Sequence, residues 1–483
     1  MNTKRIIFSL SLLAVALFSS AQDYFASQIA YNSLSMSQTN PILGTARYSG
    51  MGGAMGALGG DAGTMKDNPA GLGVYRNSDI TLTPNVYISN DNSVGLNINN
   101  FAVVLNFGNS GNRTGYVTSS LGIGYSRLKN FERHSNLLRE YPIYSMTDQI
   151  YMMESYAQND LYKDAHKLGL VDDMGYSLFA YDEVNGYQDI NAQTLYTELG
   201  SIGEWNLSYG VNISNFLYFG ASAGFVSLDY ELKALYEEWA ARDNREYWNV
   251  ENAYSASGSG FNLKLGAIVA ITDFMRAGLA FHTPTFYNID EYTSEDISYM
   301  GDYATDTKRE DFFNSDLQTP LKLQGSLGFI INKMAIIGLE YQFEDFSAMR
   351  FSSGGALHQS SKNLIGSKMK VTHTAKVGAE VKVIDGLSLR AGFAFVSGPS
   401  AELSNRVSKE PQWFQAYPLA QPKNTFYYTG GIGYRGEYFY ADLAYVHQIR
   451  NETFFEYLPL VEDTPYDLKL HNNNIMATVG FCF

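Results

Sequence analysis

From 202 to 483 apolar and polar residues alternate with a period of two, in paired segments separated by tight turns. In one pair Leu321, Leu323, Gly325, Leu327 and Phe329 lead to Asn332-Lys333 and return as Ala335, Ile337, Leu339, Tyr341 and Phe343. In another, Ala375, Val377, Ala379, Val381 and Val383 lead to Asp385-Gly386 and return as Leu387, Leu389, Ala391, Phe393 and Phe395. Similar pairs turn near 212–215, at Thr272-Asp273 and at Arg435-Gly436. Successive side chains of a strand point to opposite faces, so these pairs predict β-hairpins. Segments near 79–89, 101–108 and 116–128 continue the pattern, and the count comes to about fourteen strands. The stretches 232–253, 290–316, 348–368, 398–423 and 450–469 are polar and acidic and predict long connections; the longest insert is 129–201. Short turns at one end, long loops at the other and an even strand count predict an all-β fold, a transmembrane antiparallel barrel.

Charge placement agrees. Between 261 and 395 one strand parity carries Lys264, Arg276, Lys322, Glu340, Glu344, Lys376, Glu380, Lys382 and Arg390, while the other carries no charge. A cation facing lipid at the midplane costs roughly 2–4 kcal/mol, so a spanning barrel needs one clean face. A soluble sheet with one wet face would segregate charge similarly, and the aromatic residues separate the two. On the apolar parity Phe219, Phe329, Phe439 and Phe481 lie near the short turns, and Tyr341, Phe343, Phe393, Phe395, Phe426 and Tyr428 near the long connections. Two aromatic belts fit two membrane interfaces. Ile475, Ala477, Val479, Phe481 and Phe483 alternate to the last residue, a terminal strand similar to the signal read by the barrel-assembly machinery.

The beginning of the chain predicts export. Lys4 and Arg5 precede an apolar run at 6–18, and Ser19-Ser20-Ala21 offers small residues for cleavage, so 1–21 reads as a signal peptide. The run is too short for the roughly 20 residues that a spanning helix needs. Losing Lys4 and Arg5 moves the formal net charge from −15 by two units to −17, which argues against nucleic-acid binding. The single cysteine, Cys482, excludes an internal disulfide. With 36 tyrosines, 29 phenylalanines and 12 prolines the composition suits a β-rich chain.

Residues 22–78 depart from the strand pattern. Segment 44–73 reads GTARYSGMGGAMGALGGDAGTMKDNPAGLG, with neither a GxxxxGK[ST] nor a GxGxxG phosphate loop. Gly52, Gly56 and Gly60 have helix-packing spacing, but the segment is too polar to span a membrane. It reads as a compact plug inside a narrow lumen, which divides the chain into 1–21, 22–78 and a barrel over 79–483. This segment, together with LGIGYSRLKNFER at 121–133, resembles the FadL/TodX family of outer-membrane transporters for long-chain fatty acids and hydrocarbons. The resemblance implies a fourteen-stranded barrel with an N-terminal hatch and passive diffusion from an outer groove to a lumen site. It also implies a lateral exit at a kinked third strand. The family's hatch motif matches Asn68, Pro69 and Ala70, and the kink would fall near Gly122 and Gly124.

In the long insert Ile150, Met153, Ala157, Leu161, Ala165 and Leu168 recur at helical spacing after Thr147, so Ile150, Met153, Leu161 and Leu168 are candidates for an apolar outer groove. The alternative is that this face packs the insert onto the barrel rim. Seven histidines (134, 166, 282, 358, 373, 447 and 471) are scattered, without an HExxH spacing or a close His/Cys pair, so neither a metal, a cofactor nor catalysis is expected. The expected role is a hatch-gated outer-membrane channel for hydrophobic molecules such as fatty acids or hydrocarbons, most simply a monomer, in contact with outer-membrane lipid and lipopolysaccharide. The rival role is a surface-exposed adhesin or a structural porin, neither of which requires a Gly-rich plug.

Overall fold

The computed structural model describes residues 28–108, 114–140, 145–147, 160–174, 177–179, 181–182, 186–187, 190–240, 247–300, 305–332, 334–354, 356–401, 419–455 and 465–483. Among these, fourteen antiparallel strands form a closed ring. They are β1 (Asp79–Ile88), β2 (Val94–Gly108), β3 (Tyr116–Asn130), β4 (Ile190–Ile213), β5 (Leu217–Ala240), β6 (Tyr247–Ala270) and β7 (Met275–His282). They continue as β8 (Lys322–Ile331), β9 (Ala335–Asp345), β10 (Val371–Ile384), β11 (Leu387–Val396), β12 (Leu419–Arg435), β13 (Phe439–Phe455) and β14 (Tyr466–Cys482). Each pairs with the next, and β1 closes on β14 from Asp79 opposite Cys482 to Ile88 opposite Asn473. Closure leaves the ring no unpaired edge, the condition for backbone to lie in lipid.

The two faces of the wall differ as the alternation predicts. Leu263 and Leu265 are 47% and 57% exposed, while Lys264 between them is 4% exposed. The same contrast sets Val377 and Leu339 outward and Lys376 and Glu340 inward. The outward aromatics meet across strands: Phe439 and Phe481 at 5.4 Å between centroids, Phe393 and Tyr428 at 5.4 Å, and Phe395 and Phe426 at 5.3 Å. Ring pairs of this kind stiffen neighbouring strands at both ends of the apolar band.

The expected long connections are largely not loops. The β5 and β6 strands are 24 residues each and stay paired from Leu217 opposite Val269 to Trp239 opposite Tyr247, so much of 232–253 is strand. At about 3.3 Å per residue such a strand is roughly 80 Å long, well beyond what a bilayer needs. Two further strands, Phe286–Met300 and Thr305–Gln318, fill 290–316 as a hairpin that pairs with β6 outside the ring. A helix, Ala356–Lys368, occupies most of 348–368, whereas 402–418 and 456–464 lie outside the described residues. In the insert at 129–201, Arg133–Glu140 pairs with the far end of β4. The reason is visible in the residues: Tyr230, Leu232, Ala234 and Tyr236 keep the two-residue period and are all buried, so polarity between them did not end the strand.

Candidate functional site

Residues 28–78 fold from short pieces, three of them begun by a polar cap. Residues 28–37 are helical. Thr45 starts the turn Ala46–Gly50 by accepting from Tyr48 N, Asp61 starts Ala62–Lys66 by accepting from Gly63 N, and Asn68 starts Pro69–Val74 by accepting from Ala70 N. Pro69 takes the first helical position, where no amide hydrogen is needed. The Gly52-Gly53 and Gly59-Gly60 pairs turn the chain with φ between +61° and +71°, a region closed to most side chains.

These pieces meet the strands at points all round the ring, and glycines line the meeting. Gly210, Gly220 and Gly266 are cross-strand partners on β4, β5 and β6. A Cβ on Gly266 would lie 2.0 Å from Asn68 Oδ1, and one on Gly220 2.3 Å from the Pro69 carbonyl carbon. Past Gly278 on β7, where a Cβ would lie 2.9 Å from Gly56 O, Gly328, Gly338, Gly378 and Gly392 are successive partners on β8 to β11. There a Cβ would lie 1.8 Å from Ala54 O at Gly338, 2.0 Å from Met51 O at Gly378 and 2.2 Å from Gly52 N at Gly392. Backbone therefore packs on backbone, a fit that a single added methyl would break.

Beside the glycines the contact is polar. Arg47 binds Glu380 through two nitrogens at 2.9 and 3.1 Å, and Arg390 bridges Glu380 at 2.5 Å to Asp442 at 2.6 Å. Gly56 N donates to Glu340 Oε2 at 3.0 Å, and Lys376 Nζ donates to Glu340 Oε1 at 2.7 Å. The Arg276 guanidinium donates to Leu58 O at 3.0 Å, and Ala46 N donates to Thr478 Oγ1 at 2.7 Å. Tyr48 Oη donates to Asp67. Burial lowers the Lys66 ammonium to about 8. Burial also opposes ionisation of Asp67, but Lys66, Lys376 and Lys322 outweigh it and hold the carboxyl well below the usual range. Buried ion pairs of this kind fix one arrangement more than they add net stability.

Asn68, Pro69 and Ala70 are thus brought together against β5 and β6, and Asn68 Nδ2 also donates to Gly56 O at 2.7 Å. Gly122 and Gly124 sit on β3, and both lie beside the Met65 side chain. Pairing with β2 and β4 runs through Gly122 and Gly124 without interruption. The irregularities of β3 fall instead between Tyr116 and Thr118 and between Arg127 and Lys129. Ile150 and Met153 lie outside the described residues. Leu161 is in the helix Asp160–Lys167, and Leu168 is buried in a cluster with Ala165, Phe179 and Trp248.

Two features were not apparent from the residues alone. Toward the long-connection end, Ile29, Leu34 and Met36 join Tyr230, Tyr254, Tyr287, Phe346 and Ile365 in the largest apolar cluster. Beneath it lies a polar cavity lined by Lys66, Asp67, Lys264, His282, Lys322 and Glu344. The inward parity of Lys264, Lys322 and Glu344 pointed to the polar wall, but no local pattern marked residues 28–37 as part of an apolar cluster.

No family model matches the sequence, and no curated protein matches it either. Solved structures do. The P. putida toluene transporter TodX aligns at a TM-score of 0.55 with 13% identity, over 92% of this chain and 99% of that one. A Pseudomonas aeruginosa FadL homologue aligns at 0.52 with 12% identity, over 92% and 99%. The Ralstonia pickettii toluene transporter TbuX aligns at 0.51 with 15% identity, over 93% and 100%. At such identities the likeness concerns architecture, and together with the closed ring it gives this chain the fold of the FadL/TodX-type transport barrels.

Proposed function

We propose that the protein is a passive outer-membrane channel for small hydrophobic molecules, with 22–78 serving as a hatch. The observation that carries this reading is the end-to-end fold likeness to toluene transporters, in a barrel with apolar residues all round its outer face. The hatch role rests on the close contacts of 51–74 with the wall glycines from β4 to β11. A hydrocarbon gains little by crossing the charged surroundings of Lys66, Asp67, Glu340 and Lys376, so its favourable route runs from the apolar cluster sideways into lipid. On this reading Asn68, Pro69 and Ala70 seat the hatch, Gly122 and Gly124 border the side exit, and Ile150, Met153, Leu161 and Leu168 contribute to the outer approach. The protein works as a monomer among outer-membrane lipids and lipopolysaccharide, inserted by the barrel-assembly machinery through its C-terminal strand.

The test is uptake of radiolabelled oleate and toluene by cells lacking their own transporter, with and without this protein. A variant lacking 44–73 and a polar sugar serve as controls. Hydrophobe entry that depends on an intact 44–73 segment, without sugar entry through the wild type, is the expected result. A correctly assembled barrel that admits neither oleate nor toluene would refute the proposal.

A further inference from the structure

Sequence spacing shows no metal motif, yet the fold sets two histidines face to face. On β13 and β14 His447 lies opposite Asn473 and Ile449 opposite His471, which puts both imidazoles on the same face of the sheet as diagonal neighbours. His447 Nε2 and His471 Nδ1 are 3.4 Å apart, with ring centroids at 5.4 Å and planes inclined by 30°. We propose that His447 and His471 form a bis-histidine site for a divalent transition-metal ion on the outer surface of the barrel.

Three observations converge on this. The first is distance: two nitrogens bound at about 2.0–2.1 Å in tetrahedral geometry stand roughly 3.3–3.4 Å apart. The imidazoles are already at that separation.

The second is the proton. His447 Nδ1 lies 2.7 Å from Asn473 Oδ1, which also accepts from Tyr445 Oη at 2.7 Å. A carbonyl oxygen only accepts, so Nδ1 carries the hydrogen and Nε2 turns its lone pair toward His471. Asn473 thereby does for His447 what outer-shell acceptors do for ligating histidines elsewhere. Without metal, the His471 Nδ1 hydrogen fills that lone pair; when an ion binds, Nδ1 gives its hydrogen to solvent and Nε2 takes one up, so the ring stays neutral and ligates as the other tautomer.

The third is position. The outward residues Leu443 and Tyr445 on β13, and Val479 and Ile475 on β14, are 40% to 49% exposed and belong to the apolar band. The pair stands level with the aromatic end of that band, with Tyr428 opposite His447 on β12, on the side of the long connection between β13 and β14, and the contact between the rings is exposed. Among the described residues no cluster of three His, Cys, Asp or Glu side chains forms, so two coordination positions stay open to water or an external ligand. Imidazole donors select zinc, copper or nickel over calcium or magnesium.

The test uses the full-length protein, without a polyhistidine tag, in detergent micelles after treatment with a chelator. Zn²⁺ binding is followed by calorimetry, and Cu²⁺ by electron paramagnetic resonance. The expected result is one ion per chain, with nitrogen coupling from two imidazoles. His447→Ala and His471→Ala should each remove that signal, and Asn473→Ala should weaken binding about tenfold. His373→Ala, at a histidine that pairs with Tyr341 Oη at 2.6 Å, should leave binding unchanged. Heat-dependent electrophoretic migration establishes that each variant is folded. No binding by the wild type, or equal binding by the His447→Ala/His471→Ala double variant, overturns the proposal.

Discussion

Arg47 in the N-terminal segment and Glu380 on β10 form a two-pronged ion pair, Nε to Oε2 at 2.9 Å and Nη2 to Oε1 at 3.1 Å. The planar guanidinium matches both carboxylate oxygens at once, so the pair fixes orientation as well as distance. The pair is part-buried, and Arg390 still neutralises Glu380 when Arg47 is removed, so the loss falls on the orientation of the segment and strands no charge in the wall. Arg47→Ala should therefore loosen the segment while the ring still closes. Planar-bilayer recordings should show larger and more variable conductance than the wild type, and an unchanged trace would mean that the pair does not hold the segment.

The glycine arc makes a sharper demand. A Cβ at position 338 would lie 1.8 Å from Ala54 O, and one at 378 lies 2.0 Å from Met51 O. Gly338→Val and Gly378→Val should expel 51–58 from its seat and expose it to limited proteolysis. In a chain lacking 44–73 the same substitutions should leave barrel stability within about 0.5 kcal/mol of its parent, since the clashing partner is gone. Equal losses in both backgrounds would place the strain within the wall itself.

Asn68 bonds with two chemistries, accepting from Ala70 N at 3.1 Å and donating to Gly56 O at 2.7 Å and to Ala267 O at 3.5 Å. Asn68→Asp keeps the cap and loses the donor; Asn68→Ala loses both, at about 1 kcal/mol for the cap alone. Uptake of oleate should fall in the order wild type, Asp, Ala, with normal barrel assembly throughout. Full uptake by the Ala variant and by a Pro69→Ala variant would count against a hatch seated through this motif.

Lys66 predicts a pH effect. Its ammonium is lowered by burial to about 8, against an ordinary value near 10.4. Below pH 8 the folded protein carries a charge that its surroundings disfavour, and the penalty shrinks as pH rises toward the unfolded value. Between pH 8 and 10 the wild type should gain about 2 kcal/mol relative to Lys66→Met. Parallel melting curves for the two proteins over that range would reveal a flat difference if Lys66 titrates normally.

Much of the barrel was legible because one physical rule acts on every residue of the wall. An apolar outer face and a polar inner one impose a period of two, so Leu263, Lys264 and Leu265 disclose their orientation without reference to any distant partner. The same rule, applied to polarity instead of periodicity, misled the reading of 232–253. There the outward face carries polar residues, yet the buried Tyr230, Leu232, Ala234 and Tyr236 keep the strand alternation. The gaps in β3 pairing were likewise out of reach, since Gly122 and Gly124 permit a kink but do not compel one.

By itself, then, the order of residues determined which face of each strand turns outward, how many strands close the ring and where the chain leaves the strand pattern. Those properties depend on neighbours one or two positions away. The tertiary structure alone decided that Arg47 meets Glu380, that the wall glycines from β4 to β11 make room for 51–74, and that His447 and His471 stand 3.4 Å apart. Each of these joins residues that closure of the ring brings together, and register between strands, not local pattern, sets which side chains become neighbours.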